Sequence, residues 1–345
     1  MKLPAITRRG LLAAGVMSGV LPAGLRAQTY KPEYKMSVVG NAPLGTAVAA
    51  FRWAELVSLR TQGRINIKTY PGSQLVGGDQ TRELVSMRQG VIDFVVSSTI
   101  NIAPQIREMN IFSLPFLMPD SRAFDAITQG GPVRAALDNV LLQRDAVALA
   151  WSENGFRQVS NSKRQVRKPE DLRGLKIRFA AGQIYADIFN ALGANPLQMS
   201  WADLQPALAT GAVDGQETPV NVFIQTKLET VNQKYLSLWN YVADANIFKV
   251  HKPVWDSLAP ADKEIVRASA EQAAKEHTAS TRKGLGADGD RSSLDELAKR
   301  GVKVEELTEV EKAAFGRATK PVYDKWAAST GSELVKLAEA TVKKA

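Results

Sequence analysis

Cysteine is absent from the 345 residues. That excludes disulfides, thiolate metal sites and cysteine nucleophiles, and it leaves stability to the size of the core. Histidine is scarce. His251 and His277 are the whole supply, too few for a histidine-rich metal site. No block of one charge sign exists either. The nearest is Lys163, Arg164, Arg167 and Lys168, and Glu170 and Asp171 follow at once. It reads as a solvated turn and not as a nucleic-acid surface. Beyond residue 27 no run is long and apolar enough to span a membrane. The chain has no G-x-S-x-G elbow, no H-E-x-x-H and no P-loop, and no carboxylate pair has a distinctive setting. The glycines at 284–289 lack the preceding strand of a phosphate-binding fingerprint. No catalytic residue, cofactor, metal site or nucleic-acid partner is called for.

What is present is ordinary globular material, 45% hydrophobic and 23% charged, enough for one large domain or two lobes. Residues 1–27 stand apart. Thr7-Arg8-Arg9-Gly10-Leu11-Leu12 is a twin-arginine pattern, an uncharged run follows to Leu25, and Leu25-Arg26-Ala27 is a cleavage site. This is an export signal of the twin-arginine type, and the apolar run falls short of the ~20 residues of a spanning anchor. Its removal takes away Lys2, Arg8, Arg9 and Arg26 and no acid, which brings the formal charge from +9 to +5. A mild positive charge suits anionic solutes.

After the leader, strands alternate with helices. Lys35 to Val39 is a strand, and Leu44, Ala47, Val48, Phe51, Ala54 and Val57 form a helical stripe that ends at Gly63. Strands at 65–67 and 92–97 flank a helix from Asp79 to Gln89. The strand at 146–151 is expected to break at Ser152-Glu153-Asn154-Gly155, a candidate hinge. The second half repeats the logic, with a strand at 175–179 and helices at 185–192 and 201–210. Met87-Arg88-Gln89-Gly90-Val91-Ile92-Asp93 is echoed by Ala209-Thr210-Gly211-Ala212-Val213-Asp214: helix, glycine stop, apolar step, aspartate. The alternation predicts an α/β fold with parallel βαβ units. Residues 261–300 are helical, as one bent helix or two stacked ones, and the tail 309–344 is helical too.

The most informative stretch is 154–219. Leu175, Ile177 and Phe179 alternate with Lys176 and Arg178, so Arg178 lies at the carboxyl end of an apolar strand. In open α/β sheets that end borders the ligand crevice, and a guanidinium there is a fork for a carboxylate. An internal ion pair with Asp187 or Glu217 is the alternative.

The segments KMSVVGNAPLGT, RINIKTYPGSQLVGGDQTRELVSMRQGVIDF, FSLPFLMPD, 154–219 and VWDSLAPADKE follow one another in order. With them the chain resembles the periplasmic solute-binding proteins of TRAP transporters (DctP-like) over nearly all its mature length. The resemblance implies a two-lobe periplasmic-binding-protein-like fold with a long helix bridging the lobes, which the 261–300 segment matches. Lobe one would be 28–154 and 244–283, lobe two 155–243 and 284–345. It also implies site residues. Arg178, in GLKIR, would bind the ligand carboxylate. Arg157 would be the second ligand arginine, the alternative being a hinge ion pair with Glu153 or another acid. Trp201 would line the pocket, unless it simply packs under its helix. Thr218 stands where many relatives carry a ligand-touching asparagine. Asn41 matches a ligand-contacting asparagine of the other lobe. Ser98 falls where sialic-acid-binding members carry glutamate, which argues against sialic acid. Asp79 lies in another contact loop. For the small polar residues a turn or cap role is the alternative.

The function implied is that of a monomeric periplasmic protein. It would capture a small organic acid between lobes by hinge closure and deliver it to the small and large integral TRAP subunits. Trp201 and the missing amide at 218 tilt the ligand toward a less polar, aromatic or branched monocarboxylate. A carboxylate-based enzyme on the same scaffold, or a ligand sensor, is the alternative.

Overall fold

The computed structural model describes residues 30–286 and 289–345, so the twin-arginine leader lies outside the described residues. One sheet of ten strands runs through the molecule. Its first part is parallel: β1 (Tyr34–Val38) lies between β2 (Ile67–Tyr70) and β3 (Phe94–Ser98). Two long strands follow, β4 (Ala146–Asn161) and β9 (Ala243–His251), antiparallel to each other. Beyond them comes a second parallel group, β5 (Lys176–Phe179) between β6 (Asn195–Gln198) and β7 (Gly215–Pro219). β8 (Tyr235–Leu238) pairs with the far end of β4, and β10 (Lys303–Glu306) runs parallel to β8.

The two parallel groups are built alike, and the sequence echo is the reason. Gly90 and Gly211 take left-handed conformations, φ +74° and +75°, that let each helix stop and turn into the next strand. The aspartate three residues on then latches the group's first strand. Asp93 donates its backbone N–H to the Lys35 carbonyl at 2.9 Å and accepts the Lys35 N–H on its side chain at 2.8 Å. Asp214 does the same to Lys176, at 2.9 Å.

The expected break at 152–155 is not a strand end. β4 continues through it, with a register shift between Glu153 and Gly155. The physical reason is β9, which the sequence pattern had not revealed. It pairs with the backbone there, and a β-bulge absorbs the irregular residue. Gly155 has φ +125°, and a Cβ on it would stand 2.7 Å from Pro219 Cβ.

The 261–300 segment is two helices, Pro260–Arg282 and Ser292–Lys299. The first of these packs on the Gly45–Arg60 helix and takes a bond from Asn221 on Thr281, and the tail, Glu309–Val342, kinked at Gly331, is a second long helix with contacts on both sides. It packs on the helices Ser121–Thr128 and Gly131–Leu142 and also on Gln183–Ala191. Two aromatic clusters anchor the cores. Trp53 meets Phe94 and Phe248, while Trp239 stacks on Tyr241 at 4.2 Å with Phe189 and Phe315 around them. The second cluster stands directly behind the site described next.

Candidate functional site

The carboxyl ends of β3, β5 and β7 converge on the middle of β4 and β9, and a small cavity lies where they meet. About 60 Å³ of it is open to the centre of a water-sized sphere. At ~10–15 Å³ per water in that measure, it holds a few waters or a short organic molecule. It is closed over. Gln80 Oε1 accepts the Trp201 N–H at 3.2 Å, and the Gly45 N–H donates to Gln225 Oε1 at 2.8 Å, so the β1–β3 side touches the β5–β7 side.

Arg178 is the central observation. Ile177 and Phe179 point into the apolar core, so strand alternation turns Arg178 to the other face. It is 1% exposed. Its Nε donates to the Met199 carbonyl at 3.0 Å, and its Cζ stands 5.9 Å from the Trp201 ring centre. Nη2 has no partner. Neither expected acid reaches it: Asp187 is held by Lys325, Trp326 and Gln183, and Glu217 by Arg157 and Tyr241. Burial pushes the Arg178 guanidinium down to about 10. The Glu217 charge opposes that shift and Arg157 adds to it. The side chain is therefore still a cation at neutral pH, and a buried unpaired cation is costly.

Arg157 lines the same cavity but is differently placed. Nε and Nη2 fork onto the Glu217 carboxylate, Nη2 also reaches the Glu217 carbonyl at 2.7 Å, and Nη1 donates to Asp244 Oδ2 at 2.8 Å. Of the five N–H groups of a guanidinium, one on Nη1 is left. Burial works against its charge, but Glu217 and Asp244 outweigh burial and hold its pKa well above the ordinary value. The internal partners are thus Glu217 and Asp244, not Glu153, which pairs with Arg282. Burial raises the Asp244 carboxyl, with Arg157, Ser98 and Asn154 pulling the other way.

Trp201, Thr218 and Ser98 also line the cavity. Ser98 donates to Asp244 and caps Ile100. Trp201 separates the cavity from an outer groove, and Asn41 lies in that groove and not in the cavity. Asp79 lies on a second flanking groove, where it accepts the N–H and hydroxyl of Thr81. The structure therefore brings together Arg178, Arg157, Trp201, Thr218 and Ser98, and leaves Asn41 and Asp79 at the rim.

Six polar wall residues were missed: Thr46, Gln80, Asn101, Asn154, Asp244 and Asn246. A signal existed for the last two. Asp244 and Asn246 alternate with Ala243, Ala245 and Ile247, the period of a strand with one polar face. Among the described residues no group of three or more His, Asp or Glu could hold a metal ion, and no helix is long and apolar enough to cross a membrane.

Comparison with known proteins gives this geometry its context. The profile of the bacterial extracellular solute-binding proteins, family 7, matches residues 37–330. The 2,3-diketo-L-gulonate-binding periplasmic protein of Escherichia coli is 31% identical over 92% of this chain and 92% of its own. The C4-dicarboxylate-binding periplasmic protein of Rhodobacter capsulatus is 30% identical, over 96% and 97%. An uncharacterised protein of Sinorhizobium fredii is 35% identical, and this chain spans 57% of its length. Among solved structures, a TRAP periplasmic solute-binding protein from Ralstonia eutropha, with bound (S)-2-acetolactate, shares 54% identity and a TM-score of 0.90. The match covers 92% of this chain and 100% of that one. A sugar-acid-binding protein of Advenella mimigardefordensis, in complex with galactonate, shares 28% identity over 90% and 98% of the two chains, with a TM-score of 0.83. The chain belongs to the bacterial extracellular solute-binding proteins of family 7, the DctP-like binding proteins of TRAP transporters.

Proposed function

We propose that the chain is the extracytoplasmic binding component of a TRAP transporter and that its cargo is a short, branched monocarboxylate. The observation that carries this reading is the free Nη2 edge of buried Arg178 at the wall of a small cavity between the two sides of the sheet. A carboxylate there would give that cation its partner by charge-assisted hydrogen bonds. One such anchor favours one carboxylate. Arg157 is already engaged by two acids, so a second carboxylate would find only its spare Nη1 hydrogen. The small cavity favours a molecule of few heavy atoms, and the acetolactate held by the Ralstonia eutropha relative is of that kind.

In this reading lobe one comprises 28–154 and 244–283, and lobe two 155–243 and 284–345. The chain would cross between them at the β4 bulge, at the start of β9 and after the 260–282 helix. Arg178 and Trp201 would receive the acid on lobe two. Ser98 and the β9 wall would then close over it, and ligand favours the closed state because only that state makes both sets of contacts. Asn41 and Asp79 would act at the rim during entry. No bond is broken. The leader at 1–27 would send the protein to the periplasm by the twin-arginine route. There, as a monomer, it would hand its cargo to the two integral subunits, driven by an ion gradient.

A thermal-shift screen over organic acids, sugars and amines tests this. Binding at a hundredfold over Kd adds about 2.7 kcal/mol, which for a chain of this size is a rise of about 5 °C. Short branched monocarboxylates are expected to give it, and C4-dicarboxylates less. A shift with neutral sugars or amines alone would refute the reading.

A further inference from the structure

The β9 wall of the cavity leaves one strong acceptor with nothing to accept, and a chain of hydrogen bonds fixes which atom it is. Asp244 receives Ser98 on Oδ1, and Arg157 Nη1 and Asn154 Nδ2 on Oδ2, both at 2.8 Å. An ionised carboxylate only accepts. The Asn154 amide must therefore turn its NH₂ toward Asp244 and its Oδ1 away. That Oδ1 meets Asn246 Nδ2 at 3.2 Å and the Thr46 hydroxyl at 3.3 Å. Asn246 Nδ2 also donates to Thr46 Oγ1 at 3.0 Å. The Asn246 amide must then present its NH₂ to this pair, so its orientation is dictated by the Asp244 charge two steps away. Amide ends are otherwise interchangeable in a structure; here they are not.

Asn246 Oδ1 is left buried and without a donor. The residue is fully buried and lies on the cavity wall. An orphaned buried acceptor costs about 1–3 kcal/mol unless something supplies a hydrogen. The same cavity thus holds an unpartnered cationic donor, Arg178 Nη2, and an unpartnered neutral acceptor, Asn246 Oδ1. Resting on the reading of Arg178 as the carboxylate anchor, we propose that Asn246 Oδ1 accepts a hydroxyl hydrogen of the ligand. The protein then selects short hydroxy monocarboxylates over equally shaped acids that lack the hydroxyl. A cavity this small keeps the two groups of the guest close together, as 2-hydroxy acids do. An ammonium in its place would require a free carboxylate, and Asp244, the acid of the wall, is committed to Arg157.

Three acids of one shape test the inference by calorimetry: 2-hydroxy-2-methylpropanoate, 2,2-dimethylpropanoate and 2-amino-2-methylpropanoate. The hydroxy acid is expected to bind about tenfold or more tightly than the dimethyl acid, the ratio that one hydrogen bond to a buried orphan supplies. In Asn246→Leu that ratio should fall to near one, whatever the change in absolute affinity. Equal affinity of the wild type for the first two acids overturns the hydroxyl inference and leaves the carboxylate reading standing. Tighter binding of the amino acid overturns it as well. Binding of none of the three overturns both. The wild-type ratio decides by itself if Asn246→Leu does not fold.

Discussion

Two buried charge clusters flank the crossover strands, and they are held in opposite ways. On the β1–β3 side, Glu83 accepts the hydroxyls of Ser37 and Ser73, and Lys249 donates to Ser97 and to a carbonyl. On the β4–β7 side, Arg157 is clamped between the Glu217 and Asp244 carboxylates, and Tyr241 from the aromatic cluster adds a bond to Glu217 at 2.8 Å. Burial drives Glu83 and Lys249 toward their neutral forms, and neither hydroxyls nor the opposite charge of the other outweighs it. Opposite charges lock each other instead. Arg178 belongs to neither pattern. It has neither a hydroxyl nor an acid, and in the proposed reading its missing partner is the ligand.

The largest expected effects come from exchanging the two arginines in this comparison. Arg157→Gln leaves Glu217 and Asp244 buried without their counter-charge, which should cost about 3–5 kcal/mol of folding stability. Denaturant unfolding would show it, and a loss under about 1 kcal/mol would mean the clamp is not structural. Arg178→Gln is expected to do the reverse. Affinity for the cargo should fall by about 2–5 kcal/mol, while the ligand-free protein keeps or gains stability, since an unpaired buried charge is removed. Calorimetry beside an unfolding curve separates the two. Unchanged affinity would dismiss Arg178 as the anchor.

The sequence exposed the part of this site that rests on local pattern. Arg178 was legible because the 175–179 alternation and its turn signals are local, and the Gly90 and Gly211 echo forecast two groups built on one plan. The pairing state of Arg157 was not legible, because Glu217 and Asp244 arrive from strands 60 and 87 residues away. The 146–151 strand was ended too early for a related reason. Ser152 to Gly155 is rich in breakers, and only the partner strand β9 makes it a bulge. Asn246 needed β9 as well, since its free oxygen follows from a relay through Asn154 to Asp244 that no single segment contains.

The bulge offers a smaller perturbation of the charged side alone. Gly155→Ala puts a Cβ against Pro219 in a conformation that side chains avoid, at an expected cost of about 1–3 kcal/mol. If the hinge lies there, the variant should also alter closure, seen as a changed association rate with the same ligand. A variant as stable and as fast as the wild type would remove Gly155 from any hinge.

The smallest effect concerns the hydroxyl-held pair and carries a definite sign. Burial raises the Glu83 carboxyl from its ordinary 4.5 to about 7, so the fold retains a proton that the unfolded chain has already released. Stability therefore falls as pH rises across that window. Burial lowers Lys249 from its ordinary 10.5 to about 7, so above 7 the unfolded chain binds the extra proton and stability rises with pH. The pair should impose a minimum near neutrality. The double variant Glu83→Gln, Lys249→Met should lack it, whereas the clamped Arg157 adds no titration in this range. Unfolding midpoints taken from pH 5 to 9 for both proteins give the comparison, and parallel curves would mean that hydroxyls hold these charges as firmly as carboxylates hold Arg157.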